Sequence, residues 1–358
     1  MSGRVETPGS AREAAELLAS GATVRPRGGG TKWAWAGAGE PDVVLSTERL
    51  GGVRELNAGD LTAVLGAGLP LAEAQGAFAE AGLMLALDPP GEAATVGGVV
   101  AAADSGPLRH RYGAPRDLLL GMTVALADGT VARSGGKVIK NVAGYDLAKL
   151  FAGSQGTLGT IVEVVVRLHP LPAATATAVG AGDTAGLARA ALVLAAAPLE
   201  LERLDVRWAA GHGALLAQAG GVFAAARAGR AAGLMREAGL DAETHDEDDD
   251  ALWAEQRAGQ RDPAGTILRV AGLPAELGRV LAVAGRHGAA LVGRAGAGTS
   301  WLRLDAAAVT AARAELAPFP CVVTDGPPGL DRFGPREPAL VALERRVRER
   351  FDPAGVLA

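Results

Sequence analysis

The sequence has little of several residue classes, and each shortage excludes a type of protein. One cysteine, Cys321, excludes an internal disulfide and a cysteine-ligated iron–sulfur cluster, which predicts a reducing, cytoplasmic compartment. A net charge of -5 with no basic stripe argues against nucleic-acid binding. No run of about 20 strongly apolar residues occurs, so we expect no transmembrane segment, while peripheral membrane association stays open. The first residues carry Arg4 and Glu6 and no apolar core, so no secretory signal is expected.

Length and element order predict two domains. The chain has 358 residues, 49% of them apolar, which is enough for two separate cores. After residue 172 a pattern of strands and helices occurs twice, which is typical of an α+β domain with an antiparallel sheet. The acidic run DAETHDEDDD (241–250) is interpreted as a solvated loop or, alternatively, as an acidic docking face.

Local signals predict several elements of the first domain. Ser10, followed three residues later by Glu13, predicts a helix with a capping box over residues 10–20. Asp128-Gly129 predicts a hairpin between strands 118–127 and 130–134, closed by a type I′ turn.

Four glycine-rich clusters, each beside a predicted strand or helix, are the most informative feature. They are RPRGGGTKW (25–33), PPGEAATVGGVVAAADSG (89–106), RYGAPRDLLLG (111–121) and AGSQGTLGTIVEVVVRL (152–168). Successive glycines let N–H groups converge on an anion and leave side chains absent where a ligand must approach. The start of the helix after Thr95 is predicted to be a second anion site. Neither the P-loop spacing nor the Rossmann fingerprint is present, so the repetition itself predicts a bound dinucleotide.

The ordered set of clusters resembles the FAD-binding domain of the vanillyl-alcohol-oxidase and p-cresol-methylhydroxylase type. The run KVIKNVAGYDLAKLFAGSQGTLGTIVEVVVRLHPLP (137–172) resembles most closely the FAD-binding subunit of bacterial glycolate oxidase. The resemblance implies an α+β fold: a two-subdomain FAD-binding fold of the p-cresol-methylhydroxylase type over 1–172 and a smaller antiparallel α+β cap domain over 173–318. A C-terminal segment, 319–358, is expected to return to the FAD domain. Its closing run RERFDPAGVLA lacks the family's Asn-Pro-Gly continuation.

By position, the resemblance also implies which residues contact FAD. The implied set is a pyrophosphate loop (Arg27, Gly28, Gly29, Gly30, Thr31), a second phosphate and ribose contact (Thr95, Gly97, Gly98), the isoalloxazine end (Ser105, Gly106, Tyr112, Gly113) and the adenosine end (Gly156, Gly159, Ile161). Cys321 is distant in sequence, and His110 is expected to be a solvated loop histidine, so we expect non-covalent FAD and no metal site. Asp117 is expected to order its own loop rather than to touch the cofactor.

The run GGKVIKNVAGYD (135–146) leaves two interpretations open. In one, it crosses the flavin or faces a partner, with Lys137 and Lys140 stabilising the reduced flavin by charge and with Asn141 and Tyr145 nearby. In the other, it is a basic lead-in to a helix over 147–151 that Asp146 caps.

The catalytic residues cannot be assigned from the sequence. Catalytic relatives carry a Glu-His-Gly motif in their C-terminal half, and none of the five histidines of this chain stands in one. The resemblance implies an FAD-binding subunit of a glycolate (2-hydroxy acid) oxidase complex, which oxidises glycolate to glyoxylate with a catalytic flavin subunit and an iron–sulfur subunit. Two alternatives stay open: a stand-alone FAD-dependent 2-hydroxy acid dehydrogenase, with an arginine such as Arg257 or Arg269 on the substrate carboxylate, and a non-catalytic structural assembly module.

Overall fold

The structure is a computed structural model that describes residues 3–36, 39–138, 145–245 and 249–358. Its strands are β1 Arg4–Glu6, β2 Val24–Arg27, β3 Val43–Ser46, β4 Val53–Asn57, β5 Thr62–Gly66, β6 Leu83–Met84, β7 Leu119–Ala125, β8 Val131–Gly135, β9 Thr160–Arg167, β10 His169–Pro170, β11 Thr175–Gly182, β12 Arg203–Ala209, β13 His212–Gly220, β14 Asp241–His245, β15 Ile267–Ala271, β16 Ala290–Arg294, β17 Thr299–Arg303 and β18 Cys321–Asp325. Its helices are α1 Ala11–Leu18, α2 Leu71–Ala79, α3 Val96–Ala102, α4 Arg109–Tyr112, α5 Pro115–Leu118, α6 Ala148–Phe151, α7 Thr184–Ala196, α8 Ala224–Glu237, α9 Asp250–Ala258, α10 Leu277–Arg286, α11 Val309–Leu316 and α12 Pro338–Phe351. Among the helices described, none is long and apolar enough to cross a membrane.

The chain divides into two compact units. The first unit holds the described parts of 1–105, 113–171 and 336–358, and the second unit holds those of 106–112 and 172–335. The sequence placed the second boundary at 318. In the structure, residues 319–335 stay with the second unit because β18 pairs with β15, and only 336–358 return to the first.

The first unit contains a parallel sheet, in the order β1-β3-β2, and an antiparallel sheet, in the order β4-β5-β9-β7-β8. One core cluster joins α1 to both sheets through Leu18, Leu45 and Val162. The end of the chain is part of this unit, because the N–H of Val24 donates to Val356 O at 2.7 Å and Leu357 is buried in the same core.

The second unit is built on an eight-stranded antiparallel sheet in the order β14-β11-β13-β12-β16-β17-β15-β18. Successive residues of a strand point to opposite faces. Thus Leu204 and Val206 of β12 join the core formed with α7, α8, α10 and α11, while Asp205 between them faces the other side. On that side Trp253 of α9 packs on β13.

Two turn predictions have different outcomes. The Ser10 hydroxyl caps α1 by accepting the N–H of Glu13 at 3.1 Å, as predicted, but the Glu13 carboxylate accepts the N–H of Gly9 rather than that of Ser10. The predicted type I′ turn at Asp128-Gly129 is wrong. Only Gly129 has a positive φ, +84°, and its N–H donates to Leu126 O at 3.1 Å, which indicates a type I turn followed by a glycine bulge.

The acidic run is not a single solvated loop. Residues Asp241–His245 form β14, which pairs with β11, and residues 246–248 lie outside the described residues. Asp249 is only 5% exposed, and its carboxylate accepts hydrogen bonds from the side chains of Thr175, Thr177 and Gln218.

Candidate functional site

Three segments of the first unit enclose a cleft: the turn after β2, helix α3, and residues 155–161 before and within β9. The empty space between these segments is about 780 Å³, which includes open solvent. The cleft is lined by Arg25, Pro26, Arg27, Gly28, Gly29, Gly30, Thr31, Lys32, Trp33, Trp35, Thr47, Ala67, Thr95, Gly97, Gly98, Ala101, Ala102, Gln155, Gly156, Gly159 and Ile161.

The glycines of the turn after β2 are required by the protein itself. A Cβ at Gly28 would lie 2.1 Å from Thr95 Oγ1, and one at Gly29 would lie 1.6 Å from the carbonyl oxygen of Ala93. The sequence argument explained these glycines by the approach of a ligand. The structure gives a different first reason: any side chain there would force the turn away from the segment before α3.

The backbone N–H groups that are available to a ligand belong to the turn and not to α3. Within the described residues, the N–H groups of residues 28–30 make no backbone hydrogen bond. In contrast, the N–H groups of Val96 and Gly97 donate to Leu69 O and Ala67 O, and the N–H of Gly98 donates to Thr95 Oγ1 at 3.3 Å. The first N–H groups of this helix are therefore already used, and the second phosphate contact assigned to Thr95, Gly97 and Gly98 stays a prediction.

The charge of the cleft suits an anionic ligand. Its lining includes Arg25, Arg27 and Lys32 and, among the residues that the structure describes, no acidic residue. The Arg25 side chain donates to Trp33 O, and its guanidinium lies 4.0 Å from the centre of the Trp33 ring. Burial lowers the pKa of Arg25, although a guanidinium keeps its charge in proteins. With the free N–H groups of the turn, the charges of Arg25 and Arg27 match the diphosphate of a dinucleotide.

The opposite wall of the cleft contains backbone strain. Gln155 has φ +55° and Ala103, at the end of α3, has φ +48°, which is the left-handed region that residues other than glycine rarely adopt. The N–H of Gln155 donates to Ala101 O at 2.8 Å, and the N–H of Gly153 donates to Val100 O at 3.0 Å. These bonds tie the 153–155 turn to the C-terminal end of α3 and maintain the strained conformations.

Most of the implied FAD residues meet in this cleft. Those in its lining are Arg27, Gly28, Gly29, Gly30, Thr31, Thr95, Gly97, Gly98, Gly156, Gly159 and Ile161. Ser105, Gly106, Tyr112 and Gly113, which were assigned to the isoalloxazine end, lie outside the lining. Gly106 and Tyr112 belong to the second unit.

Tyr112 and its neighbours have structural partners. The Tyr112 hydroxyl donates to Glu202 Oε2 at 2.6 Å, and burial together with this hydrogen bond raises the pKa of the phenol. Gly113 has φ +83° beside Asp117, whose carboxylate accepts the N–H of Ala114 at 2.8 Å. Asp117 thus orders its own loop, as expected. His110 is half-buried rather than solvated, and burial and Arg111 lower its pKa.

The 135–146 run is only partly described. Lys137 forms an ion pair with Glu55, and the Tyr145 side chain is 92% exposed. Asp146 does not cap the following helix, because α6 begins after Leu147 without a side-chain cap. Lys140 and Asn141 lie outside the described residues, so their assigned roles stay predictions.

Sequence reasoning missed several lining residues, among them Arg25, Lys32 and Gln155. For Arg25 a signal existed: it alternates with Arg27 along β2, which places both side chains on one face of the strand. Gln155 had no such signal, because its position depends on the contact of the 153–155 turn with α3.

Comparison with known proteins identifies the ligand class. Residues 4–135 match the family model described as "FAD binding domain". Glycolate oxidase subunit GlcE of Escherichia coli is 44% identical over 110 residues, which are 30% of this chain and 31% of that protein. D-lactate dehydrogenase of Archaeoglobus fulgidus is 39% identical over 145 residues, 40% of this chain and 32% of that protein. Glycolate oxidase subunit GlcD of Bacillus subtilis is 37% identical over 149 residues, 41% of this chain and 32% of that protein.

These matches span about a third of the length of the curated relatives. The structure of alkyldihydroxyacetonephosphate synthase is similar over a longer range, with a TM-score of 0.73 covering 99% of this chain and 76% of that one, at 15% identity. The likeness at this identity shows the fold alone, which is α+β.

Proposed function

We propose that the protein is an oxidoreductase subunit for 2-hydroxy acids, because residues 4–135 match the FAD binding domain model and FAD is its cofactor. It works in a glycolate oxidase complex with a catalytic flavin subunit and an iron–sulfur subunit. The observation that carries the proposal is the cleft with a cationic lining and a glycine turn whose N–H groups are free. The matches to the GlcD and GlcE subunits support the choice of substrate class.

The residues of the cleft suit non-covalent FAD. The N–H groups of residues 28–30 and the side chains of Arg27 and Thr31 would hold the diphosphate, while Thr95 adds a hydroxyl on the facing wall. FAD supplies a two-electron acceptor when bound. The roles of Ser105, Gly106, Tyr112 and Gly113 near the isoalloxazine stay part of the proposal.

The histidines favour an auxiliary subunit over an independent catalyst. Oxidation of a 2-hydroxy acid needs a base for the hydroxyl proton, and histidine is the most frequent choice. None of the five histidines lines the cleft. His287 is engaged by Glu315, with Nε2 and Oε1 at 2.8 Å. We therefore assign substrate chemistry to the partner subunit.

A stand-alone dehydrogenase is the second candidate, favoured by the match to D-lactate dehydrogenase. An absorption spectrum of the purified chain, before and after anaerobic addition of glycolate or D-lactate, separates the two. A flavin spectrum that persists after both additions, with bleaching only when the partner subunits are supplied, supports the subunit. Bleaching of the isolated chain would establish the second candidate. A colourless chain that takes up no added FAD would overturn both.

A further inference from the structure

A buried ion pair joins two walls of the cleft. Lys32 Nζ lies 3.0 Å from Asp104 Oδ2, and the two side chains are only 7% and 3% exposed. The same ammonium lies 3.2 Å from Thr31 Oγ1. Lys32 closes the glycine turn, and Asp104 follows the left-handed residue that ends α3. The pair therefore ties the turn to the end of this helix.

Such a pair needs an explanation other than stability. Removing a lysine and an aspartate from water costs several kcal/mol for each ion, and their attraction often only balances that cost. If the contact only had to stabilise the fold, a pair of apolar side chains would do so equally well. In some proteins a buried charged or polar pair fixes the geometry in which two segments meet, because each charge accepts few alternative partners.

The backbone around Asp104 supports this interpretation. The N–H of Asp104 donates to Val99 O at 3.1 Å, which fixes the aspartate relative to α3. On the other side, the Gly28 and Gly29 backbone packs directly on the segment before α3. The turn is thus held at two places, by close backbone packing at residues 28–29 and by the ion pair at Lys32.

We propose that Lys32 and Asp104 are positioning residues that set the distance between the glycine turn and α3, and so preorganise the cleft for FAD. The inference rests on the proposed FAD function. Lys32 acts through Asp104 and not by direct contact with the cofactor, which makes the effects of the two residues on FAD affinity interdependent.

A double-mutant cycle on the full chain tests this interdependence. The variants are Lys32→Met, Asp104→Asn and the double variant, and the measurement is the Kd of FAD by titration of flavin fluorescence. We expect each single variant to weaken binding by about tenfold or more, equivalent to about 1.4 kcal/mol, and the double variant to bind no more weakly than the single variants. Asp104→Asn binding FAD as tightly as wild type, or more tightly, would overturn the proposal, because it would mean that Lys32 acts on FAD by its own charge.

A matched control separates positioning from general destabilisation. Arg261 and Asp325 form an ion pair of similar burial in the second unit, with Arg261 Nε and Asp325 Oδ2 at 2.8 Å. Asp325→Asn should lower the thermal midpoint and leave the Kd of FAD unchanged. An equal loss of FAD affinity in this control would contradict a positioning role for the cleft pair.

Hydrogen exchange of the FAD-free proteins decides the inference independently of cofactor binding. Both single variants should lose amide protection in α3 and at Trp33 and Trp35, whose N–H groups donate to Gly30 O and Lys32 O, and Asp325→Asn should not. Unchanged protection in both single variants would overturn the inference. If wild type takes up no FAD, the proposed function fails, while the exchange result still decides whether the pair holds the two walls together.

Discussion

At the residue scale, the glycine turn after β2 shows how a ligand-binding motif is first a packing motif. Gly28 and Gly29 lie so close to the segment before α3 that any Cβ would overlap Thr95 or Ala93. Within the described residues, the N–H groups of residues 28–30 make no backbone hydrogen bond. The same turn therefore packs closely on its neighbour and keeps donors that suit a diphosphate.

Replacing Gly29 by alanine should abolish FAD retention. The new Cβ would lie 1.6 Å from the carbonyl oxygen of Ala93, so the turn must move and its N–H groups with it. Fluorescence titration with FAD measures the effect. Gly76→Ala in α2 is the matched control, because no atom lies within 4 Å of its Cβ, and it should bind FAD normally with a gain of about 0.5–1 kcal/mol in stability.

Cys321 should be almost inert to thiol reagents in the folded protein. Burial raises the pKa of its thiol to about 11, so at pH 8 about one molecule in a thousand carries the thiolate. The reaction with Ellman's reagent should be slow in buffer and fast in denaturant. A rapid reaction in buffer would show that the thiol is exposed.

His110 should make the stability depend on pH. Burial, and secondly the charge of Arg111, lowers its pKa in the folded state, so the unfolded chain binds the proton more readily. The free energy of unfolding should therefore fall as the pH drops below about 6.5, the usual value for histidine. Urea unfolding between pH 7.5 and 5 should show a shallower fall for His110→Gln than for wild type.

At the element scale, α9 is attached to the eight-stranded sheet by polar contacts at its start. Asp249 accepts hydrogen bonds from β11 and β13, and the Trp253 indole donates to Thr177 Oγ1 at 2.9 Å. The sequence showed only an acidic run here. It could not reveal that the last aspartate of the run lies under a helix, because its donors come from strands about 31 to 74 positions away.

Asp249→Ala should lower the free energy of unfolding by about 3 kcal/mol. It removes three hydrogen bonds of about 0.5–1.5 kcal/mol each and leaves their buried donors unsatisfied. Chemical denaturation followed by tryptophan fluorescence measures the change. The neighbouring exposed Asp250 is the control, and Asp250→Ala should cost no more than about 1 kcal/mol, the value of a carboxylate in a first helical turn.

At the scale of the whole molecule, each unit has its own core, and the lining of the proposed FAD cleft belongs to the first. Ligand binding stabilises the part of a protein that forms the site. FAD at 100 times its Kd should therefore stabilise the first unit by about 2.7 kcal/mol. Calorimetry should show a larger rise in the melting temperature of the first unit, which holds the cleft, than in that of the second. An equal shift of the entire melting profile would show that the two units unfold together.

Much of the secondary structure of this protein is determined by local sequence. Helix α12, the strongly β-branched strand β9 and the helix capped by Ser10 follow from periodicity, propensity and caps, which act over a few residues. The glycine clusters indicated the dinucleotide, because backbone access is a local property. Tertiary structure alone decided which N–H groups are free. The first N–H groups of α3 donate to the carbonyl oxygens of residues 67 and 69, while those of residues 28–30 make no backbone hydrogen bond within the described residues. It also paired Lys32 with Asp104 and buried Asp249, because those interactions join residues that are distant in the chain.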